Sequence, residues 1–125
     1  MRKVKNSLIV DAVALVYEPS SEGTFFVKFF CEMDIDSLVD LLEEDLDYGD
    51  ENKWSFIENI RNKMEFFKIR KDTFFKHVNA KCQGCSKGLD VVVFSGNYSN
   101  VQWSIRLDVV EGKIKSVYEC AKFEN

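Results

Sequence analysis

Four cysteines and a single histidine are the residues here whose chemistry could reach beyond packing. Cys82 and Cys85 stand as C-x-x-C within "KCQGCSKGLDVVVF", residues 81 to 94, and Cys31, His77 and Cys120 lie further off. Two thiolates at that spacing can share one soft cation, but structural zinc wants four ligands in a tetrahedron. The spacing does not gather them. His77 precedes Cys82 by five residues, about 16 Å along an extended chain, and an odd separation turns the two side chains to opposite faces. Cys120 ends the last strand-like segment, so a meander is expected to leave it at the far end of the sheet, roughly 23 Å away over a seven-residue strand. Cys31 sits on a helical segment whose approach the spacing does not determine. A closed Cys3His zinc site is therefore not expected. Cys82 and Cys85 read as loop thiols, with a local disulfide or a metal shared between two chains as the remaining uses. A thioredoxin-type couple needs its first cysteine at a helix N-terminus, whereas Gly84 and Gly88 mark a loop between strands. Cys120 reads as a core residue opposite Trp103.

Other motifs exclude more than they assign. Asp40 to Glu51 holds Asp40, Glu43, Glu44, Asp45, Asp47, Asp50 and Glu51 with no basic residue. Its "DLDYGDE" fails the EF-hand pattern, because Gly49 is at the wrong offset and the twelfth position from Asp45 is Phe56. The stretch reads as a solvated loop. There is no Ser/His/Asp set, phosphate-binding glycine loop or H-E-x-x-H. A net charge of −4 argues against a nucleic-acid partner.

The elements that must position these residues follow from periodicity. The 125 residues suit one domain, 1–125, with little to suggest a second: no repeats and one proline, Pro19. Residues 7–17 form an apolar run, strand or helix, too short to span a bilayer and interrupted by Asp11. No cleavage motif follows it, so a soluble, cytoplasmic protein is expected, with its cysteines as thiols or metal ligands rather than disulfides and with no membrane partner. Phe25, Phe26, Phe29, Phe30 and Met33 recur at helical spacing, and Leu38, Leu41 and Leu42 continue the stripe beyond Asp34. This predicts one helix broken near Asp34 or two short ones, with Asp34 or Asp36 as N-cap. Lys53 to Lys68 is a second amphipathic stretch whose inner face is Phe56, Ile57, Ile60, Met64 and Phe67. Four strands follow: 73–80, 89–95, 101–110 and 113–120. In the third, Trp103, Ile105, Leu107 and Val109 share one face, with Ser104, Arg106 and Asp108 on the other. A two-residue turn at Glu111-Gly112 predicts the pairs Val109–Ile114, Leu107–Ser116, Ile105–Tyr118 and Trp103–Cys120. Helices followed by an antiparallel meander with one apolar face make an α+β fold, helices packed on the sheet.

On "DIDSLVDLLEEDLDYGD", "KWSFIENIRNKMEFF" and "VQWSIRLDVVEGKIKSVYEC" this order resembles the nuclear-transport-factor-two-like superfamily, the cystatin-like cone that includes SnoaL-type cyclases. The resemblance covers about residues 22–120, with the apolar segment 1–20 as an addition. It implies a curled antiparallel sheet forming a cone roll, and a homodimer through the outer sheet face, where Arg106 and Asp108 sit. It also implies an interior pocket lined by Tyr48, Trp54, Phe56, Trp103, Ile105, Leu107 and Tyr118, unless the eleven phenylalanines fill it. Catalytic members carry inward Asp/His or Asp/Tyr pairs, which this chain does not display. The leading expectation is a non-catalytic module that binds a small apolar molecule or a protein partner, without a cofactor. The alternatives are a cyclase or isomerase using Asp47, Tyr48 and Tyr118, and a zinc-dependent interaction module using Cys82 and Cys85.

Overall fold

The computed structural model describes residues 18–81 and 90–120. Three helices, α1 (Glu22–Cys31), α2 (Ile35–Leu41) and α3 (Lys53–Ile69), precede four strands, β1 (Phe75–Lys81), β2 (Asp90–Gly96), β3 (Gln102–Val110) and β4 (Lys113–Glu119). The strands pair antiparallel in the order β1-β2-β3-β4, so the α+β expectation holds. The segment 1–17 and the loop holding Cys82 and Cys85 lie outside the described residues. Among the described residues no helix is long and apolar enough to cross a membrane.

Local chemistry sets the helix ends. Ser21, Asp34 and Asn52 cap the three helices, each side chain accepting a backbone N–H of the first turn. The helical stripe from Phe25 onward breaks into two helices because the chain turns left-handed at Met33, φ 57°. There the Asp34 N–H donates to the Phe29 carbonyl and the Met33 N–H to that of Phe30, a Schellman stop. The end of α3 repeats it: Lys71 has φ 77°, the Asp72 N–H donates to Phe67 and the Lys71 N–H to Lys68. Both stops use a residue with a Cβ where glycine would be less strained.

One face of the sheet is sealed by aromatic rings. Phe26 and Phe30 of α1 and Phe56, Ile60, Met64 and Phe67 of α3 meet Phe75, Phe94, Trp103, Ile105 and Leu107 of the strands. The Phe30 ring centroid lies 4.0 Å from Phe94 and 4.9 Å from Trp103, and Phe67 stands edge-on to Phe75 at 4.8 Å. Such pairs add about 0.5–1.5 kcal/mol each beyond the area they bury.

The hairpin register departs from the expected one. The Glu111-Gly112 turn has φ 51° and 79°, the type I′ shape that matches strand twist, and Val109 pairs with Ile114 as predicted. A bulge follows. Asp108 pairs with Ser116, Leu107 with Val117, Arg106 with Tyr118 and Ile105 with Glu119, leaving Lys115 as the extra residue. This one-residue slip moves Val117 to the helix side and turns Ser116, Tyr118 and Cys120 to the other face. The physical reason is polar. Strict alternation would drive Ser116 into the aromatic core, whereas the bulge lets its hydroxyl donate to Asp108. Lys115 also gains a partner, since its carbonyl accepts the Asp47 N–H at 3.1 Å while the Asp47 carbonyl accepts from Val117 at 2.9 Å. The acidic loop thus adds a short parallel bridge that covers the β4 edge.

Candidate functional site

The junction between α3 and β1 and the turn between β2 and β3 are fastened to each other by two side chains. Oδ1 of Asp72 accepts the N–H groups of Tyr98 and Ser99, both at 2.8 Å, and Oδ2 accepts the Ser99 hydroxyl at 2.7 Å. In return Oδ1 of Asn97 accepts the N–H groups of Thr73 at 2.8 Å and Phe74 at 3.2 Å, and the Asn97 N–H donates to the Phe74 carbonyl. Asp72 is 2% exposed. Burial alone would push its carboxyl up, but the bonds from Ser99 and Tyr98, with the Arg70 charge, outweigh it and hold the pKa below the ordinary aspartate value. Gly96 is required beside it, since a Cβ there would lie 2.3 Å from Asp72 Oδ2.

This clamp holds apolar side chains in water. Ile69 is 81% exposed, Tyr98 67%, Phe74 48% and Phe66 41%. Phe74 follows Asp72 by two residues, Tyr98 is bonded to it, and Phe66 and Ile69 belong to the last turns of α3. Lys68, Arg70, Lys71 and Lys76 are exposed among them, with Arg70 4.3 Å from the Phe66 ring centre. The result is a hydrogen-bonded end that carries exposed aromatic and basic side chains on a chain of net charge −4. The sequence leaves "GNYSN", residues 96–100, between two strand-like segments, but nothing in it shows the fastening to Asp72. Asp72 precedes Asn97 by 25 residues and no periodicity links them.

The interior candidates divide. Tyr48, Phe56, Trp103, Ile105 and Leu107 do come together, as buried members of the one core. The Tyr48 hydroxyl donates to the Glu43 carbonyl, and burial, then the charges of Asp45, Glu43 and Glu44, push it up to about 12. Trp103 Nε1 donates to Glu119 at 2.6 Å. Two expectations are corrected. Trp54 is 53% exposed, beneath the Lys53 ammonium, because its position on α3 faces away from the sheet. Tyr118 lies on the face opposite the helices because of the bulge. Asp47 is exposed and its carboxylate accepts the Gly49 N–H, so it is not the buried base that a cyclase reading requires. Two clefts among the described residues, one of about 350 Å³ beside Glu22, Asp45 and Lys113 and one of about 330 Å³ between α2 and α3, are lined by none of the interior candidates.

The sulfur chemistry also divides. Cys82 and Cys85 lie outside the described residues. Cys120 is not opposite Trp103. It packs with Val91 and Val93, against Val78 and Ala80, on the second face. Its N–H donates to the Ser104 carbonyl, and Ser104 pairs with Val93 and Val93 with Val78, so Cys120 is level with the middle of β1, three strands away, rather than with the far end of the sheet. Cys31 and His77 do meet: Sγ lies 3.6 Å from Nδ1. Burial, then the charge of Glu32, pushes the Cys31 thiol up to about 12, and burial lowers the His77 pKa, so both groups are neutral at neutral pH. Among the described residues no three metal-binding side chains converge. Arg106 and Asp108, which the resemblance places on a dimerising outer sheet face, are an ion pair at 2.7 Å with the Arg106 side chain only 10% exposed.

No known protein family, curated protein or solved structure matches the chain.

Proposed function

We propose that this chain is a non-catalytic protein-interaction module whose contact surface is the clamped end around Phe66, Ile69, Phe74 and Tyr98. The observation that carries the reading is apolar exposure on rigid backbone: large side chains stand in water where buried carboxylate and amide groups fix the chain beneath them. Preordered aromatic contacts cost little entropy on binding, which makes such residues effective anchors. Lys68, Arg70, Lys71 and Lys76 select the partner's chemistry, an acidic protein segment carrying apolar side chains.

The ring-packed core gives an interior ligand little support, and the order of helices before meander remains the main support for a cone-type relative. A sheet-to-sheet dimer around Arg106 and Asp108 is likewise less favoured, because Arg106 is nearly buried and pairs along its own strand.

The test uses synthetic peptides in which leucine or phenylalanine alternates with glutamate, titrated into isotope-labelled protein. Amide shifts centred on Ile69 to Phe74 and on Asn97 to Ser99, lost in a Phe74→Ser/Tyr98→Ser variant, support the reading. Equal binding of lysine-substituted peptides, or shifts confined to other surfaces, overturns it.

A further inference from the structure

The helices α1, α2 and α3 all pack into the cluster on one face of the sheet. On the other face, cross-strand pairs set Val78, Val93 and Ser104 in one row and Ala80, Val91, Arg106 and Tyr118 in the next. An antiparallel sheet with one face in water alternates apolar and polar residues, but "DVVVF" in β2 carries valine on both faces. Val91 and Val93 are 1% and 2% exposed, and Ser104, Arg106 and Cys120 are buried with them. The described apolar side chains around Val91, Val93 and Cys120 are Val78 and Ala80, which flank them on the same face. Flanking neighbours shield the sides of a side chain and leave its tip bare, so this face is covered from above.

We propose that the cover is the chain's own apolar segment, residues 7–17, seated with Asp11 toward Arg106. The described chain begins in the right place for this. The Ser21 N–H donates to the Glu18 carbonyl and the Glu22 N–H to that of Gly112, so the chain enters α1 beside the β3–β4 hairpin. From Glu111, Arg106 is five residues along β3, about 16 Å. Eleven residues span about 16 Å as a helix and about 36 Å as a strand, so the segment reaches the buried rows in either form. The remaining chain outside the described residues, 82–89 and 121–125, offers Leu89 and Phe123 as its large apolar side chains, too few to seal two rows. Charge matches as well. Asp11 is the one charged residue of 7–17, and it shares a face with Leu8 and Leu15 at helical spacing or with Ile9, Val13 and Leu15 at strand spacing. An apolar stripe with one carboxylate thus meets an apolar face with one buried guanidinium. Asp108 engages Arg106 at Nη2, and the five N–H donors of a guanidinium fork let a second carboxylate share it. With the segment in place the sheet is an interior layer, closed to sheet-to-sheet pairing with a second copy.

The experiment needs no variant: nuclear Overhauser contacts are measured between methyl groups of the full-length protein, in one sample fully labelled and in another mixing labelled with unlabelled chains. Contacts within one chain from Leu8, Ile9, Val13, Leu15 or Val16 to Val91 and Val93 are expected. Contacts of Val91 and Val93 with Leu89 or Phe123 in their place, or contacts that arise only between chains and so make a second copy the cover, overturn the proposal. The alkylation rate of Cys120, measured relative to Cys31 by peptide mass spectrometry, is the second readout. Asp11→Lys sets a like charge against Arg106 and should speed Cys120 alkylation by at least about tenfold through local opening of the cover. A Cys120 rate indifferent to Asp11→Lys overturns the proposed seating. Neither readout bears on the clamped end, where peptide binding is read separately.

Discussion

The two ends of the sheet are held by different means. At the clamped end the turn after β2 is fastened through side chains, one carboxylate taking three hydrogen bonds and one amide oxygen taking two. At the other end the hairpin of β3 and β4 is fastened largely through backbone: the Glu22 N–H donates to the Gly112 carbonyl, and Asp47 exchanges two bonds with β4. The Glu22 carboxylate adds one bond, from the Ile114 N–H. The contrast teaches where substitution is tolerated. A backbone bond survives most changes of side chain, whereas a buried carboxylate that vanishes orphans every donor that it served.

The largest effect expected from breaking this contrast is at Asp72. Asp72→Ala leaves the Tyr98 and Ser99 N–H groups without their acceptor and should cost about 3–4 kcal/mol, summing unsatisfied donors at about 1–3 kcal/mol each. Urea denaturation measures it, and a loss below about 1 kcal/mol would show that water replaces the clamp readily.

At the hairpin end the bulge sets the next test. Val117 is buried against Leu107, so Val117→Ala should cost about 2 kcal/mol as a truncation within the core. Tyr118→Ala should cost roughly half that or less, because Tyr118 lies off the aromatic core. The reverse order in thermal melts would restore the bulge-free register.

The pH dependence sharpens the comparison further. The folded pKa of Asp72 lies below its unfolded value, so its stabilisation is complete above about pH 4 and is lost as the pH falls through the folded value. Protection of the Tyr98 and Ser99 amides from hydrogen exchange, corrected for intrinsic rates, should therefore decline in acid before that of Val117. The isosteric Asp72→Asn should flatten the difference.

The smallest expected effect is a gain. Lys71 sits at φ 77° in the stop that delivers Asp72 to the clamp, and Lys71→Gly removes the left-handed strain of a side chain. A stabilisation of about 0.5–1 kcal/mol should appear as a higher denaturation midpoint, with any loss showing that the Lys71 side chain contributes more than its strain.

The inner face of α3, the turn at Glu111-Gly112 and the strand count were legible in the chain because they depend on neighbours a few residues apart. Asp34, one of two candidate caps, heads α2, and the Phe56-to-Phe67 stripe announces the inner face of α3. The alternation of β3 likewise identified Trp103, Ile105 and Leu107 as one buried row. The sites were not legible in this way. Asp72 with Asn97, Cys31 with His77 and Asp47 with β4 are each pairs of residues remote in sequence, and no local pattern records that they meet.

What the amino-acid order determined by itself was therefore the kind and sequence of elements, since propensity, capping and period are local properties. What only the tertiary structure decided was the facing of the last strand and the company kept by the reactive side chains. The reason is that a strand's side chains alternate with period two: a single unpaired residue, Lys115, costs little locally but reverses every side chain beyond it. That choice is settled by the surrounding core and by the hydroxyl of Ser116 finding Asp108.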